Sequence, residues 1–330
     1  MKKIKTESYE DFLKKRHASI NTPADLINEF VKKATCTQSK SMKRIIIGEV
    51  NEVYEITLSS RKQIIVRISS NESPRFLPEK WAIEQCKKNK IPVPNVLLVE
   101  NFLDSDNKKQ ICIEEKLPGQ ALSSLIKDLK EKELIELLRK SGKVLSSIHT
   151  IPVLGFGIID DQGKGEFKTN EEYILKMRVE NKEKYEVAAE NNEMDVSIIT
   201  RSFKYLEKYL DVYKKTKSVL LHGDFSAQHL FFDEGMLTGV IDFEGACGGD
   251  PVRDLAWWDY FSPKTEYLIE GYTNKKFLAD NFELRLHIYR LHVGLGILNY
   301  YDYTNNANGI NHTKKMFDKD MEFFASYEKR

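Results

Sequence analysis

The sequence predicts an α+β protein with a small antiparallel-sheet N-terminal lobe and a larger, mainly helical C-terminal lobe. Short β-rich blocks fill residues 43–117, and apolar residues at three-to-four spacing dominate after Gly119. Pro118 and Gly119 mark the change of pattern. We therefore predict an N-terminal lobe over 1–117 and a C-terminal lobe over 118–330. A chain of 330 residues is long enough to bury a substantial core.

The composition narrows the class of protein. The chain has 51 basic and 50 acidic residues, and this balance disfavours a dedicated nucleic-acid binder. Its four cysteines show no metal-ligand or CxxC spacing, which is typical of reduced thiols in a cytoplasm. No signal peptide is evident, and no apolar run approaches the ~20 residues that span a bilayer. We expect a soluble cytoplasmic protein without membrane contact, either monomer or dimer.

The N-terminal elements can be predicted in order. Two helices over 7–33 are separated by "NTPADL", where Pro23 begins the second helix. "RIIIGEVNEVYEITLSSRKQIIVRIS" predicts strands joined by a turn at "SSRK". "PEKWAIEQCKKNK" predicts a helix, and "IPVPNVLLVE" and "QICIEEKLPG" predict two more strands. The result is an antiparallel sheet that carries one helix.

The C-terminal part is mostly helical by pattern. "SSLIKDLKEKELIELLRKSGKVLSSIHTI" has leucine and isoleucine at helical spacing over several turns. "GFGIIDDQGKGEF" predicts a loop, and charged amphipathic helices follow to about 217. The tail after 254 is again predicted to be helical.

The chemistry is concentrated in "VLLHGDFSAQHLFFDEGMLTGVIDFEGACGGDP", which begins at Val219. The turn residues "DEGM" predict a hairpin that brings His229 close to Asp242, with Asp224 on the loop leading in. Mg²⁺ prefers carboxylate and phosphate oxygens, and a second carboxylate can accept a proton from an attacking hydroxyl. The pattern therefore indicates a magnesium–nucleotide site.

Each polar residue of this stretch also has a structural interpretation. His222 is more typical of a residue that holds the loop than of one that does chemistry. Asp224 is a candidate for catalysis or for a loop cap, and Asp242 for metal binding or for a cap or turn, since an unpaired buried carboxylate is costly. We expect Asp250 and Asp254 to serve as turn and helix-cap residues.

"HGDFSAQH" followed by "VIDFEGACGGDPVRDLA" resembles the signature of the aminoglycoside phosphotransferase family, whose members share the protein-kinase-like fold. Upstream, "IIIGEVNEVYEI" is similar to the family's nucleotide-covering hairpin, "IIVRIS" to its third strand and "IEEKLPG" to its interlobe hinge. The resemblance spans about 43–260. It implies a bilobal fold and a kinase for small molecules that uses Mg²⁺ and ATP or GTP. The lobe over 1–117 would then bind the nucleotide, and the lobe over 118–330 would be the catalytic and substrate-binding lobe.

The resemblance also assigns roles. Asp224 would orient and deprotonate the substrate hydroxyl, and Asp242 would coordinate magnesium. Arg67 would stand where kinases place a lysine on the phosphates, although a guanidinium has different geometry. Glu79 is the first choice for its ion-pair partner and Glu84 the second.

Other positions complete the predicted nucleotide site. Gly48 and Asn51 would let the hairpin backbone approach the phosphates, and Ile113 and Glu115 lie in the hinge segment. His229 replaces the family's usual asparagine ligand. Imidazole is a poorer match to Mg²⁺ and ligates only when neutral, so protonation would compete with metal binding. Histidine here indicates either a subgroup trait or lost catalysis.

The sequence says least about which molecule accepts the phosphoryl group. An aminoglycoside would favour carboxylates, for which the candidates are Glu244, Asp259, Glu266, Glu270 and Asp302, although each is also typical of a solvated helix residue. Aromatic residues of the tail would line a pocket for a large acceptor such as a macrolide or belong to the core; they are Trp257, Trp258, Tyr260, Phe261, Tyr300, Tyr301 and Tyr303. We expect an aminoglycoside kinase. The alternatives are a macrolide kinase, a choline, homoserine or sugar-amine kinase, or a non-catalytic nucleotide-binding module.

Overall fold

The structure, a computed structural model, describes residues 8–46, 51–69, 71, 73–104, 107–262 and 264–329, and it describes only the backbone of residues 19 and 177. These residues cluster into two compact units. The sheet unit comprises Leu13–Leu137 and Ala227–Gly245, and the helical unit comprises the other described residues. The unit limit at Leu137 lies beyond the lobe limit of 117/118 that the sequence predicts, and Ala227–Gly245 is grouped with the sheet.

The sheet unit is built on a five-stranded antiparallel sheet in the order β1-β2-β3-β5-β4. The predicted turn at "SSRK" joins β2 to β3. The predicted helix lies between β3 and β4 as α3, Phe76–Lys88. The strands are β1 Ser39–Ile45, β2 Glu52–Leu58, β3 Gln63–Ser69, β4 Val96–Asp104 and β5 Asn107–Glu115.

One face of this sheet packs against the second leading helix. The leading helices are α1, Tyr9–Ser19, and α2, Ala24–Thr35. Ile27 and Val31 of α2 are fully buried in one cluster with Ile56, Val66 and Ile113 of the sheet. Period-2 alternation along β2 and β3 places these apolar residues on one face, which leaves the other face for polar side chains.

A second, three-stranded sheet in the same unit contains the predicted "DEGM" hairpin. Its order is β11-β10-β6, from β6 Gln120–Ala121, β10 Leu230–Asp233 and β11 Met236–Val240. Glu234 and Gly235 have φ of 46° and 76°, as a two-residue type I′ turn requires. The hairpin prediction is therefore confirmed.

The helical unit contains a four-stranded sheet in the order β8-β7-β12-β9. The segment predicted as a loop, "GFGIIDDQGKGEF", instead supplies β7, Phe156–Ile159, and β8, Gly165–Phe167. That prediction was wrong because Phe156 and Ile159 are buried while β7 pairs with β12, a pairing that local sequence does not encode. The other strands are β9 Val219–Leu221 and β12 Cys247–Gly249.

Helices make up most of the remaining chain, as the sequence predicts. They are α4 Leu122–Leu125, α5 Glu131–Ile148, α6 Met177–Val179, α7 Lys182–Asn191, α8 Ser197–Lys208, α9 Leu210–Tyr213, α10 Val252–Phe261, α11 Thr265–Gly271, α12 Phe282–Tyr303 and α13 Ala307–Tyr327. None of the helices within the described ranges is both long and apolar enough to cross a membrane.

The tail aromatics divide between core and surface. Trp258 and Tyr260 are fully buried. Tyr303 is 65% exposed and Tyr300 is 37% exposed. The core interpretation therefore holds for the first two residues and not for the last two.

Candidate active site

The centre of the candidate site in the sheet unit is a buried arginine. Arg67 lies on β3 opposite Cys112 of β5, and its Nη2 lies 2.5 Å from Oε2 of Glu79 on α3. This pair is the one that the sequence predicts first. Glu84, the second choice, lies instead on the solvent side of α3, with its carboxylate 3.9 Å from the Lys80 ammonium.

Three further carboxylates surround the same guanidinium. Glu114 lies 3.5 Å from Nη2, and Glu244 and Asp242 lie 3.1 and 3.6 Å from Nη1. Glu114 was missed at the sequence level. It lies two residues from Cys112 on β5, so period-2 alternation places it on the face of Arg67, but the strand register needed for that inference is absent from the sequence.

Burial and the neighbouring charges shift the pKa values of the residues in this cluster. Burial lowers the pKa of Arg67, but the neighbouring carboxylates outweigh burial and hold that pKa well above its usual value. Burial raises the pKa of Glu79 and of Glu114. Burial, opposed by Arg67 and reinforced by the charge of Asp242, raises the pKa of Glu244 to about 7.

Asp242 and His229 lie side by side, as the hairpin predicts. His229 ends a 3₁₀ turn, Ala227–His229, and its Nε2 lies 3.3 Å from Oδ2 of Asp242. Asp242 has φ of 67°, and the next amide, of Phe243, donates to Oε1 of Glu79 at 2.9 Å. Left-handed backbone is uncommon for a residue with a side chain and persists where the surroundings hold it. The Glu79 bond to the next amide holds the backbone at Asp242, and the Asp242 side chain is 37% exposed.

This pair fits a magnesium ion that is held partly by phosphate. Two ligands at adjacent positions of an octahedral ion, each about 2.1 Å from it, lie about 3 Å apart. The 3.3 Å between His229 and Asp242 is close to that spacing. Within the described ranges, no group of three or more His, Cys, Asp or Glu is placed to bind a metal. Two protein ligands are nevertheless enough where substrate phosphates and water supply the rest.

The other predicted nucleotide-site residues have different surroundings. Asn51 donates from Nδ2 to Glu244 at 2.5 Å, which places it beside the Arg67 cluster. Ile113 is fully buried in the sheet core, and Glu115 accepts a hydrogen bond from Asn95. Gly48 lies outside the described residues.

In the helical unit, a network of buried hydrogen bonds holds the "HGD" loop. The amides of His222 and Gly223 donate to Oδ2 and Oδ1 of Asp254 at 2.7 and 3.0 Å. His149 also hydrogen-bonds Asp254, at 3.2 Å, and bonds the Tyr272 hydroxyl with its other ring nitrogen. Gly223 has φ of 85°, which explains glycine there. Burial alone would raise the pKa of Asp254, but the hydrogen bond with His149 and nearby charges such as that of Arg253 lower it.

Asp224 follows directly on this fixed loop. Its carboxylate Oδ1 accepts a 2.8 Å hydrogen bond from Nε1 of Trp257, which lies on α10 one turn after Asp254. The Asp224 amide donates to Nδ1 of His222 at 3.3 Å. The sequence predicts Trp257 to lie in either a pocket or the core. Its bond to Asp224 depends on the packing of α10 against the loop, which the sequence pattern does not indicate.

The predicted acceptor carboxylates of the helical unit have separate surroundings. Asp259 pairs with Arg290 at 2.6 Å, and Glu270 pairs with Arg139 at 2.7 Å. Glu266 is exposed on α11. Asp302 accepts hydrogen bonds from Asn191 and Asn192. Their assignment to the acceptor stays a prediction, as does that of Glu244.

The chain is similar in sequence to known phosphotransferases. Residues 41–283 match the profile of the phosphotransferase enzyme family (APH). The hygromycin-B 4-O-kinase of Escherichia coli is 23% identical over 260 residues, which cover 75% of this chain and 71% of that protein.

Solved structures show the same fold. A thermostable mutant of aminoglycoside phosphotransferase APH(4)-Ia superposes with a TM-score of 0.73 at 20% identity, over 90% of this chain and 99% of that one. The macrolide 2′-phosphotransferase MphH of Brachybacterium faecium has a TM-score of 0.56 at 15% identity, with 89% and 98% coverage. The predicted bilobal, kinase-like α+β fold class is confirmed. Since the family profile covers well over half of its length, the chain belongs to the phosphotransferase enzyme family.

Proposed function

We propose that this enzyme transfers the γ-phosphoryl group of ATP to a hydroxyl group of an aminoglycoside-type antibiotic and so confers resistance to it. The E. coli relative is by name a kinase of hygromycin B. Structures of APH(4)-Ia hold hygromycin B together with ADP or AMP-PNP. These relatives support an aminoglycoside acceptor and an adenine nucleotide, with GTP as the alternative donor.

The observation that carries the proposal is the arrangement around Arg67. Glu79 holds one edge of the guanidinium, and the other edge lies near Asp242, whose carboxylate adjoins His229. A fixed guanidinium binds phosphate oxygens through paired hydrogen bonds. Asp242 and His229 would hold Mg²⁺, which when bound neutralises charge on the phosphates.

Asp224 supplies the remaining function. Its carboxylate would accept the proton of the acceptor hydroxyl as the oxygen forms a bond to the γ-phosphorus and the bond to the β-phosphate oxygen breaks. Much of the rate enhancement in such a reaction comes from positioning and charge neutralisation. The buried anchoring of the "HGD" loop by Asp254 is the positioning that this role requires.

Several assignments belong to this proposal. The lobes at 1–117 and 118–330 would bind the nucleotide and the acceptor, and Asn51, Gly48, Ile113 and Glu115 would belong to the nucleotide site. Acceptor contacts by Glu244, Asp259, Glu266 and Glu270, a cytoplasmic location and a monomeric or dimeric state also remain predictions.

The test is magnesium-dependent phosphate transfer from ATP and, separately, from GTP to a panel of aminoglycosides and macrolides, with products identified by mass. Asp224→Ala serves as the blank. A phosphorylated aminoglycoside from the wild type alone is the expected result. A phosphorylated macrolide would retain the kinase and replace the acceptor. Tight magnesium–nucleotide binding without either product would favour a metabolic acceptor or a non-catalytic nucleotide-binding module. Absence of both turnover and binding would contradict the proposal.

A further inference from the structure

We infer that Trp257 is a positioning residue for the reaction, and that it acts by fixing the orientation of the Asp224 carboxylate. This inference rests on the proposed function of Asp224. Its basis is the 2.8 Å hydrogen bond from Nε1 of Trp257 to Oδ1 of Asp224.

The chemistry of an indole suits this task. The indole N–H can only donate, so it bonds the carboxylate without competing for the proton that the carboxylate must accept. A carboxylate rotates about one bond, so holding Oδ1 also sets the direction in which the lone pairs of Oδ2 point. General-base catalysis needs that direction because the acceptor proton must lie within hydrogen-bond reach of a lone pair.

The surroundings keep the indole itself in place. The Trp257 ring lies 4.9 Å from the ring of Phe261, one turn further along α10. On the preceding turn, the Arg253 guanidinium lies 5.8 Å from the Trp257 ring centroid, and its Nη1 donates to the Gly223 carbonyl at 3.3 Å. The indole is therefore held from both sides along its own helix.

Three residues of α10 thus bond the "HGD" loop. Asp254 accepts the amides of His222 and Gly223, and Arg253 bonds the Gly223 carbonyl. Trp257 bonds the Asp224 side chain. The first two contacts fix the backbone of the loop, whereas the third fixes the one side chain that would meet the acceptor. A role limited to packing would not require that the half-buried indole of Trp257 bond this carboxylate and no other acceptor.

Two replacements separate the hydrogen bond from packing. Trp257→Phe removes the N–H along with part of the ring. Incorporation of 3-benzothienylalanine at 257 replaces N–H by sulfur and keeps the ring shape, and the same incorporation at Trp81 on α3 is the matched control. Both changes at 257 should lower kcat about 10- to 100-fold, as expected for losing a hydrogen bond to a charged group. KM for ATP and for the acceptor should change less than about threefold, since neither ligand loses a direct contact.

A double-mutant cycle and a spectrum complete the test. In an Asp224→Asn background, Trp257→Phe should lower kcat by no more than about twofold, because residues that act through one another are non-additive. Among the three tryptophans, the Trp257 indole N–H resonance should move most in Asp224→Ala, which removes the accepting oxygen.

The outcomes are distinct. If the wild type is active but the Trp257 variants retain its kcat, the inference fails and the proposed function stands. The same holds if the fold-losses in kcat from the changes at 257 and 224 multiply in the double variant. A wild type that transfers no phosphoryl group overturns the proposed function and this inference with it. A Trp257 indole resonance that does not move in Asp224→Ala shows that the hydrogen bond is absent in solution and overturns the inference independently of activity.

Discussion

Arg67 and Glu79 form a buried ion pair in which Nη2 lies 2.5 Å from Oε2, and this pairing leaves Nη1 directed toward Glu244 and Asp242. The arginine therefore presents two edges: Nη2 is held by Glu79 of α3, and Nη1, which donates to Glu244 at 3.1 Å, would under the proposed function be the edge that meets phosphate. Lysine has a single nitrogen and lacks this fork. We expect Arg67→Lys to raise the KM for ATP about 10-fold or more, while KM for the acceptor changes little.

Arg67→Met should weaken nucleotide binding further, and Glu79→Gln should give a smaller effect, because Gln retains one oxygen that can accept from Nη2. Isothermal titration with AMP-PNP and steady-state kinetics would measure both effects. Glu84→Gln, a change at an exposed residue of the same helix, is the control. Equal ATP affinity in Arg67→Lys and the wild type would contradict a phosphate-binding role for the fork.

The histidine at position 229 should make the activity depend on pH. Imidazole binds a cation only when it is neutral, so protons compete with Mg²⁺ as the pH falls, whereas the amide oxygen of asparagine has no such competition. We expect His229→Asn to move the acid limb of the kcat/KM profile to lower pH. Rate profiles at saturating and limiting Mg²⁺ provide the measurement. An acid limb that is identical in both proteins would remove His229 from the metal site.

The sequence predicted the elements that local pattern and motif spacing determine. The "DEGM" turn implied the hairpin that brings His229 to Asp242, and family-like order along the chain singled out Arg67 and Glu79. In each case the partners are close in sequence, or the motif that carries them is specific. These features are therefore accessible without coordinates.

What the sequence did not predict depends on register and packing between distant segments. Glu114 joins the Arg67 cluster only because β5 pairs with β3 in one register, and a shift of one residue would place it on the opposite face. Trp257 reaches Asp224 only because α10 packs against the "HGD" loop. The "GFGIIDDQGKGEF" hairpin likewise needs β12, which follows it by some 80 residues, as a partner.

Replacing Asp254 should strongly lower the stability of the protein. Its carboxylate is fully buried and accepts two amides of the "HGD" loop as well as the bond to His149. In Asp254→Asn, a donor NH₂ would replace one of these acceptors and leave a buried amide unpaired. We expect the free energy of unfolding to fall by about 2–4 kcal/mol.

Urea unfolding followed by circular dichroism would measure this loss, with Glu84→Gln as an exposed control expected to stay within about 0.5 kcal/mol. Activity should fall more than stability explains, because the loop that carries Asp224 loses its anchor. A stable Asp254→Asn protein with full activity would show that the two amide bonds are dispensable.

The contribution of Glu244 to the free energy of unfolding should fall as the pH rises, which is opposite to the trend of a carboxylate whose pKa is lowered by folding. Burial raises its pKa from 4.5 in the unfolded chain to about 7 in the folded chain, so the folded chain binds this proton more tightly. The resulting stabilisation is complete below pH 4.5 and is lost as the pH rises through about 7. A shift of this size corresponds to about 3 kcal/mol, of which the partial exposure of the side chain removes some.

We therefore expect the wild type, without metal or nucleotide, to lose stability between pH 5 and 8, and Glu244→Gln to lose clearly less. Glu79 and Glu114, whose pKa values are also raised by burial, would supply the dependence that remains in the variant. Urea titrations at intervals of half a pH unit, in the presence of a chelator, would separate the two curves. Parallel curves would mean that Glu244 stays ionised beside Arg67 throughout, and that the guanidinium compensates its charge more fully than burial opposes it.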